Sequence, residues 1–139
     1  MLKVLFSATN AGESRKVSLA FLLLRVFVGV AMMAHGYKKI MNPFGWMGPD
    51  AAVPEIFQAL AALSEFGGGL ALVIGLLIPL SMLGMAITMA VAVYVHVQKG
   101  DGFVGGWELA GVYLAAAVFF LLAGPGRWSA DAILRSKVK

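Results

Sequence analysis

Polar residues along this chain do not alternate with apolar ones; they punctuate long apolar runs. Four runs approach the ~20 residues that a helix needs to cross the hydrocarbon core of a bilayer. They cover approximately Val17–Tyr37, Ile56–Ile78, Leu80–Gln98 and Trp107–Ala123. The pattern predicts an all-α fold, an integral membrane bundle of four transmembrane helices joined by short loops. Only the Pro79 region separates the second run from the third, which predicts a tight helical hairpin there. Met41–Pro54, with Pro43, Gly45, Gly48, Pro49 and Pro54, forms the substantial loop, and Gly100–Gly106 a short second one. Gly124-Pro125-Gly126 stops the fourth helix. Trp128–Leu134 is then expected as a short interfacial helix capped by Ser129.

Composition makes lipid the solvent. Of 139 residues, 60% are hydrophobic and 13% charged, with a mean hydropathy of +0.88. Soluble domains carry about 25% charged residues. Cysteine is absent, which excludes disulfides, thiolate metal sites, iron–sulfur ligation and dithiol redox chemistry. Electrons for any redox reaction must come from elsewhere.

The basic residues flank the apolar runs, so a net charge of +4 calls for no nucleic-acid partner. Lys3, Arg15, Lys16, Arg127, Arg135, Lys137 and Lys139 lie on the side of the termini, against Lys38, Lys39 and Lys99 on the other. The positive-inside rule then predicts a multi-pass protein of the cell (inner) membrane with both termini cytoplasmic. Before the first run there is no apolar stretch with a small-residue cleavage site. Residues 1–16 are therefore expected as a cytoplasmic segment, and 17–139 as the membrane domain. Trp46, Trp107 and Trp128 fall near the ends of runs, where interfacial rings prefer to be.

Rows of small residues predict close helix contacts: Gly67, Ala71 and Gly75 on the second helix, Gly84, Thr88 and Ala92 on the third, Gly111 and Ala115 on the fourth.

Ionisable residues inside the runs carry the chemical information, because each costs about 2.5–3.5 kcal/mol at mid-depth on insertion scales. Alternating helix directions place His35, Lys39, Glu65, His96 and Glu108 toward the outer side, from four helices. Together with Met32 they predict one polar pocket. The plainer alternatives are solvated helix ends for His96 and Glu108, and a core histidine bonded to a carbonyl for His35. Arg25 falls about 12 Å into the first helix. With Met32, His35 and Lys39 it forms a single stripe on one face, while Lys38 points away. Asp131, held near the inner interface, is the predicted ion-pair partner of Arg25.

Other chemistries find little footing. Gly67-Gly68-Gly69 lacks the Lys-Ser/Thr of a phosphate loop, and no Glu-x-x-His pair exists for a di-iron bundle. No metal site is expected. His35 and His96 could be axial haem ligands, but two isolated histidines leave haem disfavoured.

Several motifs in order resemble the DoxX family of small four-helix membrane proteins. They are Arg25-x-x-x-Gly29, His35-Gly36-x-x-Lys39, Glu65-x-Gly67-Gly68, Gly75, His96, Gly102-Phe103, Gly106-x-Glu108 and Gly124-Pro125-Gly126-Arg127-x-Ser129-x-Asp131. The resemblance spans about Leu22 to Leu134. That family takes its name from a subunit of an archaeal membrane quinol oxidase associated with thiosulfate:quinone oxidoreductase activity. Bacterial members resemble parts of membrane oxidoreductase systems in thiol or oxidative-stress homeostasis. The resemblance implies a redox-associated membrane subunit, with a quinone or small oxidisable molecule in the outer-leaflet pocket. Lipid, quinone and other redox subunits are the expected partners, with self-association left open. Two alternatives are a non-enzymatic scaffold for redox partners and a small carrier or channel.

Overall fold

The computed structural model describes residues 14–137. The expected cytoplasmic segment therefore lies almost entirely outside the described residues, as do Lys3 and Lys139. Four helices are long and apolar enough to cross a membrane: α1 (Arg15–Met41), α2 (Glu55–Ile74), α3 (Ile78–Gln98) and α4 (Phe103–Ala123). A short α5 follows at Ala130–Lys137. No strand occurs among the described residues. The four apolar runs thus become four helices, and the outward faces stay apolar: Phe27 is 76% and Leu122 81% exposed. In water such surfaces would aggregate; in lipid they are the solvated state.

The core is built around methionines. Met82, Met85 and Met89 recur on one face of α3 and meet Val28 and Met32 of α1, Leu72 of α2, and Ala117 and Phe120 of α4. Unbranched thioethers fill the irregular gaps between crossing helices.

Glycines set how the helices sit. A methyl group on Gly29 would lie 2.7 Å from the Gly69 carbonyl oxygen, and one on Gly36 would lie 2.6 Å from the Phe66 nitrogen. Neither side chain is affordable there, so α1 and α2 touch backbone to backbone. The predicted row on α2 is used only in part: Gly75 lies close to Arg25 of α1 and to Ser129. Gly67 meets only Leu63 of its own helix, whereas Gly68 faces Met85 and Ser81 of α3, and Gly69 faces Gly29 and Met33 of α1. Because α2 lies between two neighbours, it needs two small faces, and adjacent glycines about 100° apart supply them. Gly84 does face α2, against Ser64, while Gly111 meets only Trp107 of its own helix.

This register recesses one end of α1. Gly36 is level with Glu65–Phe66, so Met41 ends roughly 8 Å short of the start of α2 at 1.5 Å per residue. The loop 42–54 fills the space. Gln58 clamps it: its side chain donates to the Val53 carbonyl (2.9 Å) and accepts from the Met47 amide (3.1 Å), and its own carbonyl accepts from Trp46 Nε1 (2.9 Å).

At the opposite end the hairpin turn lies before Pro79, at Gly75–Leu77. Gly75 takes the left-handed conformation (φ 74°), and the Leu76 and Gly75 amides return to the Ala71 and Leu72 carbonyls. Leu77 is also left-handed (φ 52°), an uncommon state for a residue with a side chain. Pro79 instead occupies the first turn of α3, where its missing amide proton is not needed.

The predicted ion pair takes a different form. Arg25 donates to the carbonyls of Pro125 (2.6 Å) and Trp128 (2.7 Å). Asp131 accepts from the amides of Leu77 (2.8 Å) and Ile78 (3.0 Å), capping α3, while its own amide donates to the Gly75 carbonyl (2.9 Å). The two charges attract one another, but their hydrogen bonds go to backbone groups left open by helix ends. Arg25 also lies less deep than 12 Å suggests: its guanidinium sits level with Gly75 and Pro125, at the end of the bundle. Ser129 caps α5 as expected, accepting from the Ala132 amide (3.3 Å).

Candidate functional site

Glu65 sits where the regularity of α2 breaks. Leu63–Gly67 forms a π-helical turn, with the Gly68 amide returning to the Leu63 carbonyl five residues back. Such turns are rare and are frequent at functional sites. Here the wider turn presents Glu65 inward with its backbone pressed against Gly36.

Glu65 is 4% exposed, and its Oε1 accepts from Lys39 Nζ at 2.6 Å. The pair bridges α1 and α2 about 15 Å, or ten residues at 1.5 Å each, below the start of α2. Lys39 remains 27% exposed at its side chain and lies 4.5 Å from the centre of the Trp46 ring. That ring belongs to the clamped loop, so a cation–π contact ties the loop to the pair. The second carboxylate oxygen of Glu65, Oε2, is buried and has no hydrogen-bond partner. A buried acceptor left unmade costs about 1–3 kcal/mol.

Beside this pair opens a cavity of about 220 Å³, lined by Met32, His35, Lys39, Glu65, Met89 and His96, and by Gly106, Leu109, Ala110 and Tyr113 of α4 and its leading turn, among others. His35 packs edge-on against Tyr113, ring centres 5.6 Å apart. His96 stands at the rim, where its Nδ1 lies 2.6 Å from Asp101 Oδ2, both half-exposed.

Five of the six expected pocket residues (Met32, His35, Lys39, Glu65 and His96) therefore line one cavity. Glu108 does not. It precedes Leu109 by one residue and so points about 100° away from it, off the face that carries Ala110 and Tyr113. The turn Phe103–Trp107 sets this rotation, with Val104 extended and Gly105 left-handed before the helix proper begins. Asp101, Gln58, Trp46 and Tyr113 belong to the site without having been expected there. Only Asp101 had a usable sign: a carboxylate five residues after His96, across the left-handed Gly100, can fold back on a helix end. Among the described residues no three His, Asp or Glu side chains come together as a metal site.

Chemically, the cavity is lined by one ammonium donor, one carboxylate, two imidazoles and a phenol, over a floor of two thioethers.

The family model described as DoxX matches residues 20–98, from α1 to the end of α3. An uncharacterised protein of Haemophilus influenzae is 30% identical over 128 residues, which cover 88% of this chain and 94% of that protein. The inner membrane protein YqjF of Escherichia coli is 30% identical over 124 residues, covering 84% of this chain and 92% of that one. No solved structure gives a significant match.

Proposed function

The chain belongs to the DoxX family, and on that premise we propose that this multi-pass membrane protein holds the head group of a quinol for a redox partner. The observation that carries the reading is Glu65, which lines the cavity and whose Oε2, buried beside it, has no donor. A carboxylate oxygen so placed calls for a ligand that brings its own hydrogen-bond donor, as a quinol hydroxyl does. Lys39, already bonded to Oε1, has further protons to donate to an oxygen on the ligand. His35 and His96 add ring nitrogens that can hydrogen-bond to the same ligand. A cavity of about 220 Å³ is below the ~300–1,000 Å³ of drug-sized sites, so it suits a single ring and not a whole lipid-soluble molecule.

With no cysteine in the chain, there is no dithiol here to accept the two electrons; they pass to a partner subunit. The protein's share is to bind the ring and orient it. The excess of Lys and Arg on the side of the termini supports cytoplasmic termini and a cavity toward the outer leaflet.

The experiment is purification with native lipids, extraction and identification of bound quinones, then titration with a short-tailed quinol. Bound quinone is expected from the wild type, with affinity at least ten-fold weaker in Glu65→Gln and His35→Ala at unchanged abundance. Absence of any quinone, and no binding on titration, would overturn the reading. Undiminished redox or stress-resistance phenotypes in both variants would favour the scaffold role instead.

A further inference from the structure

Two walls of the cavity, on the loop side and between α1 and α4, are closed in different ways. From the loop side, Trp46 lies over Lys39, and Gln58 holds its loop down with three hydrogen bonds. Between α1 and α4 the closure is uneven. The half of that seam nearest the termini is shut: Phe21 packs against Phe119 (ring centres 5.4 Å) and edge-on against Phe120 (6.4 Å), and Val28 and Met32 pack in the core with Ala117 and Phe120. The two helices make no extended backbone approach along this seam, and beyond the phenylalanines the ring contact of His35 with Tyr113 bridges it.

His35 is the informative residue. It adjoins Gly36, which is level with Glu65, so it lies about 15 Å, ten residues at 1.5 Å, below the start of α2. That is near the middle of a ~30 Å hydrocarbon core. Yet His35 is exposed, and its ring nitrogens have no hydrogen bond among the described residues. Polar groups at this depth normally face the bundle interior or a pathway. α4 is also the least enclosed helix, with 11% of its most apolar window buried, against 22–33% for the other three.

We propose that the cavity is entered sideways from the bilayer, between α1 and α4 past His35 and Tyr113, by a membrane-dissolved amphiphile whose hydrogen-bond-donating head reaches Glu65 while its apolar tail stays in lipid. This rests on the reading of the cavity as a ligand site. The volume fits the division: the ring enters, and the tail remains outside against the exposed apolar faces of α1 and α4.

The test places a photo-crosslinking benzophenone side chain at Tyr113, and separately at Leu109, which lines the cavity and is exposed. A third protein carries it at Asp50, exposed in the loop 42–54. Each is reconstituted in nanodiscs and irradiated with and without a long-tailed quinol. Capture of lipid acyl chains is expected at Tyr113 or Leu109, and at Asp50 none that the quinol lowers. The quinol should lower that capture at least two-fold, and Glu65→Gln should abolish its effect. If a short-tailed quinol binds but acyl chains are never captured, or the long-tailed quinol leaves capture unchanged, lateral entry is overturned and the cavity reading stands. If quinols of neither tail length bind, both fall together.

Discussion

Gly36 of α1 lies directly against Glu65 of α2: a methyl group on Gly36 would be 2.9 Å from the Glu65 Cβ and 2.6 Å from the next amide nitrogen. The absence of one side chain thereby sets both the crossing of two helices and the position of the buried carboxylate. Gly36→Val should push α1 away from the π turn and break the Lys39–Glu65 contact. Overpacking of this kind costs about 1–3 kcal/mol. Thermal unfolding in detergent should show that loss, whereas Gly67→Ala, which meets only a flexible leucine of its own helix, should unfold close to the wild type.

The Lys39–Glu65 pair makes an asymmetric prediction. Lys39→Met strands an ionised carboxylate in an apolar bundle, and breaking a fully buried pair costs about 3–5 kcal/mol. With Lys39 27% exposed, the loss should fall below that range. Adding Glu65→Gln removes the stranded charge and should restore part of the stability. A double variant no more stable than Lys39→Met would mean that the pair does not act as a unit.

At the other end, Arg25→Gln and Asp131→Asn should each destabilise the docking of α5 and the turn after α4 against the α2–α3 turn. Each leaves backbone groups short of a partner, at about 1–3 kcal/mol per buried group. Although the two side chains bond to different backbone groups, Gly75 and Ser129 lie between them. Their effects should therefore be less than additive, with a coupling of about 0.5–3 kcal/mol in a double-mutant cycle. Strict additivity would show that the two halves of this cluster form independently.

Orientation is open to a direct check. Reporters fused after Lys139 should be active on the cytoplasmic side, and reporters within Gly45–Asp50 on the exported side. An exported signal from the C-terminal fusion would invert the topology and move the cavity to the inner leaflet.

What the sequence determined by itself is the set of properties that add up locally. Transfer of a residue from water to lipid depends chiefly on that residue, so a run of apolar residues announces a span wherever it later packs. All four spans, the long loop and the Ser129 cap were legible for this reason. So was the stripe of Met32, His35 and Lys39, since 3.6-residue periodicity fixes one face of one helix. Properties belonging to two helices at once came only with tertiary structure. Relative depth and rotation follow from contacts such as Gly29 with Gly69 and Gly36 with Glu65, and no single helix encodes its offset from another. Those contacts recess α1, drop the clamped loop into the space and leave the seam beside His35. A turn with one left-handed glycine aimed Glu108 away from residues it had been expected to join. Gln58, Trp46 and Tyr113 carry no charge to mark their depth, and so became visible only where the fold set them against Lys39, His35 and the loop.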